Sequence, residues 1–480
     1  MREVDLGSGR ALLIKEHGEF SAMGHKCPHY GAPLVKGVLS KGHVRCPWHG
    51  ACFNIATGDI EDFPGLDSLP TFQVTFPALQ SQKRSKPMAR CSAVINSSTG
   101  FSHVLIIGSG PAGLVCAETL RQEGFTDRIV MCTMDKHPPY DRPKLSKVCT
   151  ETLSTKLRQY RIYQECCITE CRDVKTRSVT FDDGLRMEYR KLFIATGSKP
   201  KPMNYKGKDV RNVFHLRTPE DANSIARLAN NKNAVIVGTS FVGMEVAAAL
   251  TDKAHSVSVI GIESVPFKKA LGEKVGKAIM KCMTLPFCFS VLKLKEVVLK
   301  SGKVLRADVC VIGAGSVPAT SFLKQSGVHM DSKGFITVNK MMQTNVDGVF
   351  AGGDVVMFPF PQRSNKKVNI PHWQMAHVHG ECVRAPSILD SFWFQMCKSG
   401  VISYCKGYGD GFDDVIIQGD LDELRFVAFY TRSEEVVAVA SMNYDPIVSR
   451  VAEVLGSGKT IKKRDVETGD ISWLIDKGSQ

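Results

Sequence analysis

The chain's strongest constraint on folding is a pattern that occurs twice. "HVLIIGSGPAGLVCAETLRQEG" (103–124) sets a buried apolar run, Val104 to Ile107, against glycines at 108, 110 and 113, and continues as a helix pattern from Ala112 to Arg121. "NAVIVGTSFVGMEVAAAL" (233–250) repeats the plan with Gly238, Ser240 and Gly243. In such strand–turn–helix units the first glycine allows a tight turn, the middle one lets the backbone approach a pyrophosphate, and the third lets helix and strand pack closely. The helix N-terminus supplies N–H donors and partial positive charge for that anion. After the first unit a second strand, "RIVMCTMD", ends at Asp135, an acceptor for ribose hydroxyls. In the second unit Ser240 narrows the approach. The next strand, "SVSVIG", ends at Gly261 with Glu263 two residues on, which fixes neither NADH nor NADPH. Buried strands alternating with helices predict parallel α/β sheets from residue 101 onward.

The first eighty residues have another texture: short strand-like runs such as Val4 to Leu6 and Ala11 to Ile14, with many Gly and Pro, predicting a small all-β domain. Within it, Cys27 and His29 form C-x-H, and Cys46 and His49 form C-x-x-H, with sixteen residues between the halves. Two Cys and two His can hold one tetrahedral zinc. The same four can hold a two-iron two-sulfur cluster, thiolates on one iron and imidazoles on the other. Zinc fingers usually separate the Cys pair from the His pair. Here each half mixes the two, and Pro28, Gly31, Pro33, Pro47 and Gly50 predict two loops at hairpin tips. "SQKRSKPMARCSAVINSSTG" (81–100) is polar and aperiodic and reads as a linker.

With 43% hydrophobic and 23% charged residues, the composition is that of a globular protein, and no apolar run approaches the roughly 18 residues of a membrane helix. The net charge of +14 reads first as a solvated basic surface and otherwise suits an acidic partner protein, and no nucleic-acid-binding module accompanies it. Sixteen scattered cysteines fit a reducing compartment, and "MREVDLGSGRALLIKEHGEF" resembles neither a secretory nor a transit segment; cytoplasm or mitochondrion is expected. A monomer and a homodimer remain equally open.

"CPHYGAPL" and "CPWHGACFN" resemble the Rieske family closely. That resemblance implies that Cys27 and Cys46 bind one iron and His29 and His49 the other. "TNVDGVFAGGDVV", with Gly353 and Asp354, resembles the second flavin fingerprint of the FAD-dependent pyridine nucleotide-disulfide oxidoreductase superfamily, where the aspartate holds the ribitol chain. "LFIATGSKP" and "VCVIGAGSVP" match the turns that close each nucleotide site in that superfamily. The first unit would then bind FAD and the second NAD(P)H. The region "HPPYDRPKLSK" lacks the C-x4-C pair of the disulfide reductases; Cys166, Cys167 and Cys171 come later and read as core thiols. The run instead resembles ferredoxin and rubredoxin reductases and the apoptosis-inducing factor family. In those, its last lysine, here Lys147, lies near the flavin and pairs with a glutamate, here Glu245; Arg142 is a further candidate on the flavin side. "NIPHWQMAHVHG" places His372, Trp373 and Gln374 where such families present a helix start to the flavin's pyrimidine edge.

The whole resembles the Rieske-containing member type of the apoptosis-inducing factor family, with departures at 281–295 and 381–400. It implies a multidomain fold: a small all-β Rieske domain (1–80), a linker (81–101), two α/β Rossmann-like domains, for FAD (102–215 with 340–385) and NAD(P) (216–339), and an α+β C-terminal domain (386–480). The expected function is NAD(P)H-dependent flavoprotein oxidation, with electrons passing to the cluster and then to an unknown acceptor. A pro-apoptotic signalling protein bearing the same cofactors is the alternative. A Rieske oxygenase would need a further site of two His and a carboxylate, for which only "PHWQMAHVHG" offers histidines. High-potential Rieske proteins brace their loops with a disulfide. At the matching places stand Ala32 and Trp48, and Cys52 has no partner in the first loop, so a midpoint toward the low end of roughly −150 to +300 mV is expected.

Overall fold

Alternating apolar residues in short runs make antiparallel strands, each burying one face. In the computed structural model two antiparallel sheets build the N-terminal domain. One has the order Arg2–Asp5, Arg10–Glu16, Glu19–Gly24, Thr71–Thr75, Ala78–Gln82; the other runs Val38–Ser40, His43–Arg45, Cys52–Asn54, Ile60–Asp62. Leu12, Ile14, Met23, Leu34, Val44 and Phe53 are buried between them, with Cys27 and Cys46 in the same core cluster. The structure describes residues 1–7, 9–62, 67–75, 78–82, 102–147, 166–168, 171–175, 177–202, 210–283, 294–298, 304–360, 365–381, 402–404 and 411–475. Most of the linker at 81–101, and most of the two departures at 281–295 and 381–400, lie outside these residues. The side chains of Cys166, Cys167 and Cys171 lie outside them as well.

By contacts the chain divides into two compact units. One gathers the described residues of Met1–Pro87, Glu263–Leu285 and Leu389–Gln480, the other those of Met88–Ile262 and Pro286–Ile388. In the second unit, strands Cys166–Ile168, Ile129–Thr133, Ser102–Ile107 and Arg186–Ile194 lie parallel in that order. Val349–Ala351 returns from far along the chain to pair in parallel with Arg186–Ile194. A separate parallel sheet runs Val213–Phe214, Val309–Ile312, Asn233–Val237, Ser256–Ile260. Parallel strands require crossovers, and the helices Pro111–Gln122 and Phe241–Leu250 supply one crossover in each sheet. Both helices begin where the glycine turns predict.

In the first unit a four-stranded antiparallel sheet, ordered Ile402–Tyr404, Glu435–Met442, Arg425–Arg432, Asp414–Asp420, carries the helix Ile447–Gly456 on its apolar face. Ile447, Val448 and Val451 of that helix pack on Val427, Phe429 and Val439. The helix Lys268–Met283 belongs to this unit: Tyr430 donates its hydroxyl to the Leu271 carbonyl at 2.9 Å. The fold is thus a small all-β domain, two Rossmann-like sheets and an α+β C-terminal region. Among the described residues no helix is long and apolar enough to cross a membrane.

Candidate cluster and dinucleotide sites

The two cysteine loops are local copies of one another. In "CPHYGA" the N–H of Cys27 donates to Ala32 O at 2.9 Å and that of Gly31 to Cys27 O at 2.8 Å. In "CPWHGA" the N–H of Cys46 donates to Ala51 O at 2.7 Å and that of Gly50 to Cys46 O at 3.2 Å. Gly31 and Gly50 turn at φ 78° and 67°, a left-handed backbone that favours glycine. The second loop is the tip of the hairpin His43–Arg45 to Cys52–Asn54. The first is not a hairpin tip of one sheet: it joins the two sheets, closed by a single antiparallel bridge between Lys26 and Pro33.

Together the loops sort four side chains by type. The thiols of Cys27 and Cys46 hydrogen-bond each other; that bond holds Cys27 below the ordinary thiol range, while burial pushes Cys46 well above it. The rings of His29 and His49 lie 4.9 Å apart, centroid to centroid, at 78°. A pair of thiols beside a pair of imidazoles is the donor set of a two-iron cluster. Backbone N–H groups of His29 and Tyr30 point at Cys27 Sγ, and those of Trp48 and His49 at Cys46 Sγ. His49 is 3% exposed and His29 half-buried, so the imidazole end approaches the surface at His29. His377 and His379, the histidines an oxygenase site would need, are buried on the helix Trp373–Glu381, and among the described residues they join no group of three His, Cys, Asp or Glu.

The sequence-derived glycines occupy equivalent places in the two α/β sheets. Gly108 has φ +110°, and a Cβ there would stand 2.2 Å from Ala195 O; Gly238 has φ +124°, and its Cβ would stand 2.2 Å from Gly313 O. A Cβ on Gly113 would meet Gly108 O at 2.1 Å, and one on Gly243 would meet Gly238 O at 2.1 Å. Gly110 differs. Its φ is −72°, open to any residue, and nothing lies within 4 Å of where its Cβ would be. Neither the backbone nor packing therefore calls for glycine. The position lines a cavity of about 700 Å³, large enough for a cofactor, and a glycine there leaves room for a ligand at the helix N-terminus.

Asp135, Arg142, Arg217, Glu245, Asp354 and Trp373 line the same cavity. Asp135 Oδ2 accepts from Arg142 Nη2 at 2.9 Å and from Tyr140 Oη at 3.1 Å, and its Oδ1 accepts from the N–H of His137 at 3.2 Å. Asp354 Oδ2 accepts from the Ser198 hydroxyl at 2.7 Å. Trp373 Nε1 is buried with no hydrogen-bond partner among the described residues, a donor left over for a bound group. Two guanidiniums, a ribose-type acid and an orphaned indole fit a flavin dinucleotide.

Glu245, from the second glycine unit, reaches this cavity on its helix. Its Oε2 accepts from Ser146 Oγ at 2.5 Å and stands 2.9 Å from Lys147 Nζ, both side chains being mostly buried. Ser146 and Glu245 face the cavity; Lys147 stands behind them, its Nζ also bonded to Pro143 O at 3.0 Å. Sequence reasoning passed over Ser146 and Arg217. It also passed over His379, whose Nδ1 accepts from the N–H of Gly353 at 3.1 Å and so fixes the turn that presents Asp354.

Burial pushes the His379 pKa down from 6.5 to about 3, so the ring is neutral in the folded protein. Between those values the unfolded chain binds the extra proton, and stability falls as pH falls, by about 1.4 kcal/mol per pH unit where the difference is fully expressed. His379→Gln, which keeps an acceptor for Gly353, is expected to flatten that part of the acid-unfolding profile. Tracking unfolding by flavin release from pH 7 to 4 checks this; identical slopes in the two proteins would assign the acid sensitivity to other groups.

Comparison with known proteins agrees with this geometry. The family model for pyridine nucleotide-disulphide oxidoreductases matches residues 102–380, and that for the Rieske [2Fe-2S] domain matches residues 1–73. Apoptosis-inducing factor 3 of Homo sapiens is 58% identical over all of this chain and 86% of its own length. Rhodocoxin reductase of Rhodococcus erythropolis is 27% identical over 71% of this chain and 86% of its own. In fold, a ferredoxin reductase from Rhodopseudomonas palustris superposes with a TM-score of 0.69 at 22% identity, over 79% of this chain and 100% of that one. With cluster loops, glycine turns and full-length similarity in agreement, the chain belongs to the apoptosis-inducing factor family as a Rieske-containing, NAD(P)H-dependent flavoprotein oxidoreductase.

Proposed function

We propose that the chain carries electrons from NAD(P)H by way of FAD to its own Rieske cluster, and from there to an acceptor protein with an acidic face. The observation that carries this reading is the pairing, in one chain, of a dinucleotide cavity reached by Glu245 with two loops that bring thiol to thiol and imidazole to imidazole. When bound, FAD accepts a hydride from the nicotinamide and the two-iron cluster accepts electrons singly.

The chain's own residues prepare each event. Gly108, Gly110 and Gly113 hold the flavin pyrophosphate at the N-terminus of helix Pro111–Gln122, with Arg142 and Arg217 countering its charge. Asp354, set by Ser198 and the His379–Gly353 bond, receives the ribitol hydroxyls. Gly238 and Gly243 give NAD(P)H the equivalent turn in the second sheet. Glu245 balances the charge of Lys147, and negative charge arriving in the cavity competes with the carboxylate for that ammonium. Cys27 and Cys46 would hold one iron and His29 and His49 the other, and half-buried His29 offers the exit toward the acceptor. The net charge of +14 favours encounter with an acidic protein. The relative named for apoptosis leaves the signalling alternative as a second reading.

An anaerobic NADH titration followed by visible and EPR spectra tests the route. Flavin bleaching and the Rieske EPR signal should develop together. A signal that dithionite elicits but NADH does not would end the proposal.

The inserted nucleotide sheet makes a separable prediction. A side chain at Gly243 would collide with Gly238 O and deform the second turn. Overpacking of this kind costs about 1–3 kcal/mol, so Gly243→Val should raise the KM for NADH about tenfold or more with FAD content unchanged. Joint loss of FAD would show that the two turns do not act independently.

A further inference from the structure

The two cluster loops have the same internal geometry but not the same support. Backbone bonds of the first loop run between neighbours: Cys27 with Ala32, Gly31 with Cys27, and Leu34 N–H to His25 O. The second loop has these and a further hold from the opposite end of the sequence. Ser449, wholly buried on the helix Ile447–Gly456, donates its hydroxyl to the Cys46 carbonyl at 3.0 Å. One helical turn on, Glu453 accepts from Arg45 Nε at 2.6 Å, while Arg45 Nη1 donates to Gly50 O at 2.9 Å. Residues four apart share a helix face, so one face of one helix grips both ends of the loop 46–50. Packing and backbone bonds are therefore not the whole support of this loop.

We infer that Ser449 and the Arg45–Glu453 pair are positioning residues for the Rieske cluster, bracing the second cysteine loop where high-potential Rieske proteins use a disulfide. The inference rests on the cluster's being held by these loops. Its physical route is short. The N–H groups of Trp48 and His49 aim at Cys46 Sγ, and they belong to the gripped segment. Hydrogen bonds to cluster sulfurs and exclusion of solvent both raise a cluster's potential, and second-shell partners orient the ligands. A slackened loop turns these N–H groups away from the sulfur and admits water. Arg45 is nearly buried, and its charge-assisted bond to Glu453 is of the stronger class.

The test uses the full-length holoprotein and four variants. Ser449→Ala removes one hold, Glu453→Ala the other, Glu453→Gln keeps an acceptor for Arg45, and Ser457→Ala removes a hydroxyl on the last turn of the helix that bonds only locally, to Val454 O. The readouts are the cluster midpoint from an EPR-monitored redox titration and the rate of cluster loss to a chelator. Both alanine variants at 449 and 453 should shift the midpoint downward and lose cluster several-fold faster. Glu453→Gln should recover most of the midpoint, and Ser457→Ala should match the wild type. A wild-type signal with Ser449→Ala and Glu453→Ala unmoved overturns the brace. So does a Glu453→Gln variant that falls as far as Glu453→Ala, since packing alone would then be at issue. A wild type without a Rieske signal overturns the cluster assignment itself, and the brace with it.

Discussion

Gly110→Val is expected to leave the protein folded and strip it of FAD. The backbone at this position is extended and accepts any residue, and the new side chain would meet nothing within 4 Å of its Cβ. The fold therefore loses only the helix-cap preference for glycine over valine, about 1 kcal/mol. The ligand loses far more. A branched side chain at the mouth of the helix holds a pyrophosphate away from the N–H groups there, and bonds to charged groups are worth about 1.5–3 kcal/mol each. Two such bonds lost weaken FAD binding by about a hundredfold or more. Gly108→Ala is the contrasting variant: its φ of +110° and the 2.2 Å approach to Ala195 O strain the fold itself. Flavin content after gel filtration, measured beside the thermal midpoint, distinguishes the two. A Gly110→Val protein that keeps full flavin would place the pyrophosphate elsewhere.

Cys46→Ser is expected to abolish the Rieske EPR signal and, with it, NADH-driven reduction of cytochrome c. Flavin bleaching by NADH and ferricyanide reduction should persist. The reason lies in the division of the chain: the residues assigned to FAD and NAD(P)H belong to one compact unit and Cys46 to the other. Cys46 is wholly buried, its thiol bonds that of Cys27, and its sulfur receives two backbone N–H groups. The harder, smaller serine oxygen is a poorer iron ligand at that depth. Unimpaired cytochrome c reduction would mean that electrons leave the flavin directly, without passing through the cluster.

What the sequence discloses and what it hides divide along the range of the interactions. Cys27 and His29, Cys46 and His49, and the glycines of each turn stand within a few residues of each other, so spacing alone singles them out as candidates. The helix starts at Pro111 and Phe241 were legible for the same reason. Arg217, Ser146 and His379 carry no local pattern; each matters because a strand or turn distant in sequence brings it beside Asp354, Glu245 or Gly353. The same holds for helix Lys268–Met283, which follows the second nucleotide strand in the chain yet packs with the C-terminal sheet. Ser449 and Glu453 are the extreme case: ordinary polar residues on an amphipathic helix, more than 400 positions from the loop they touch.

That separation has a consequence for how the molecule is made. Ser449 lies 403 residues beyond Cys46. At about 5–20 residues per second, the ribosome delivers it roughly 20–80 s after the loop it grips. During that interval both cysteine loops exist without the helix, and the second lacks its hold on the Cys46 carbonyl and on Arg45. Iron–sulfur assembly on the nascent chain would meet a half-formed receptacle, whereas assembly after release meets a complete one. The order of synthesis thus favours loading the cluster late, and truncation near the C-terminus would harm a metal centre encoded at the N-terminus.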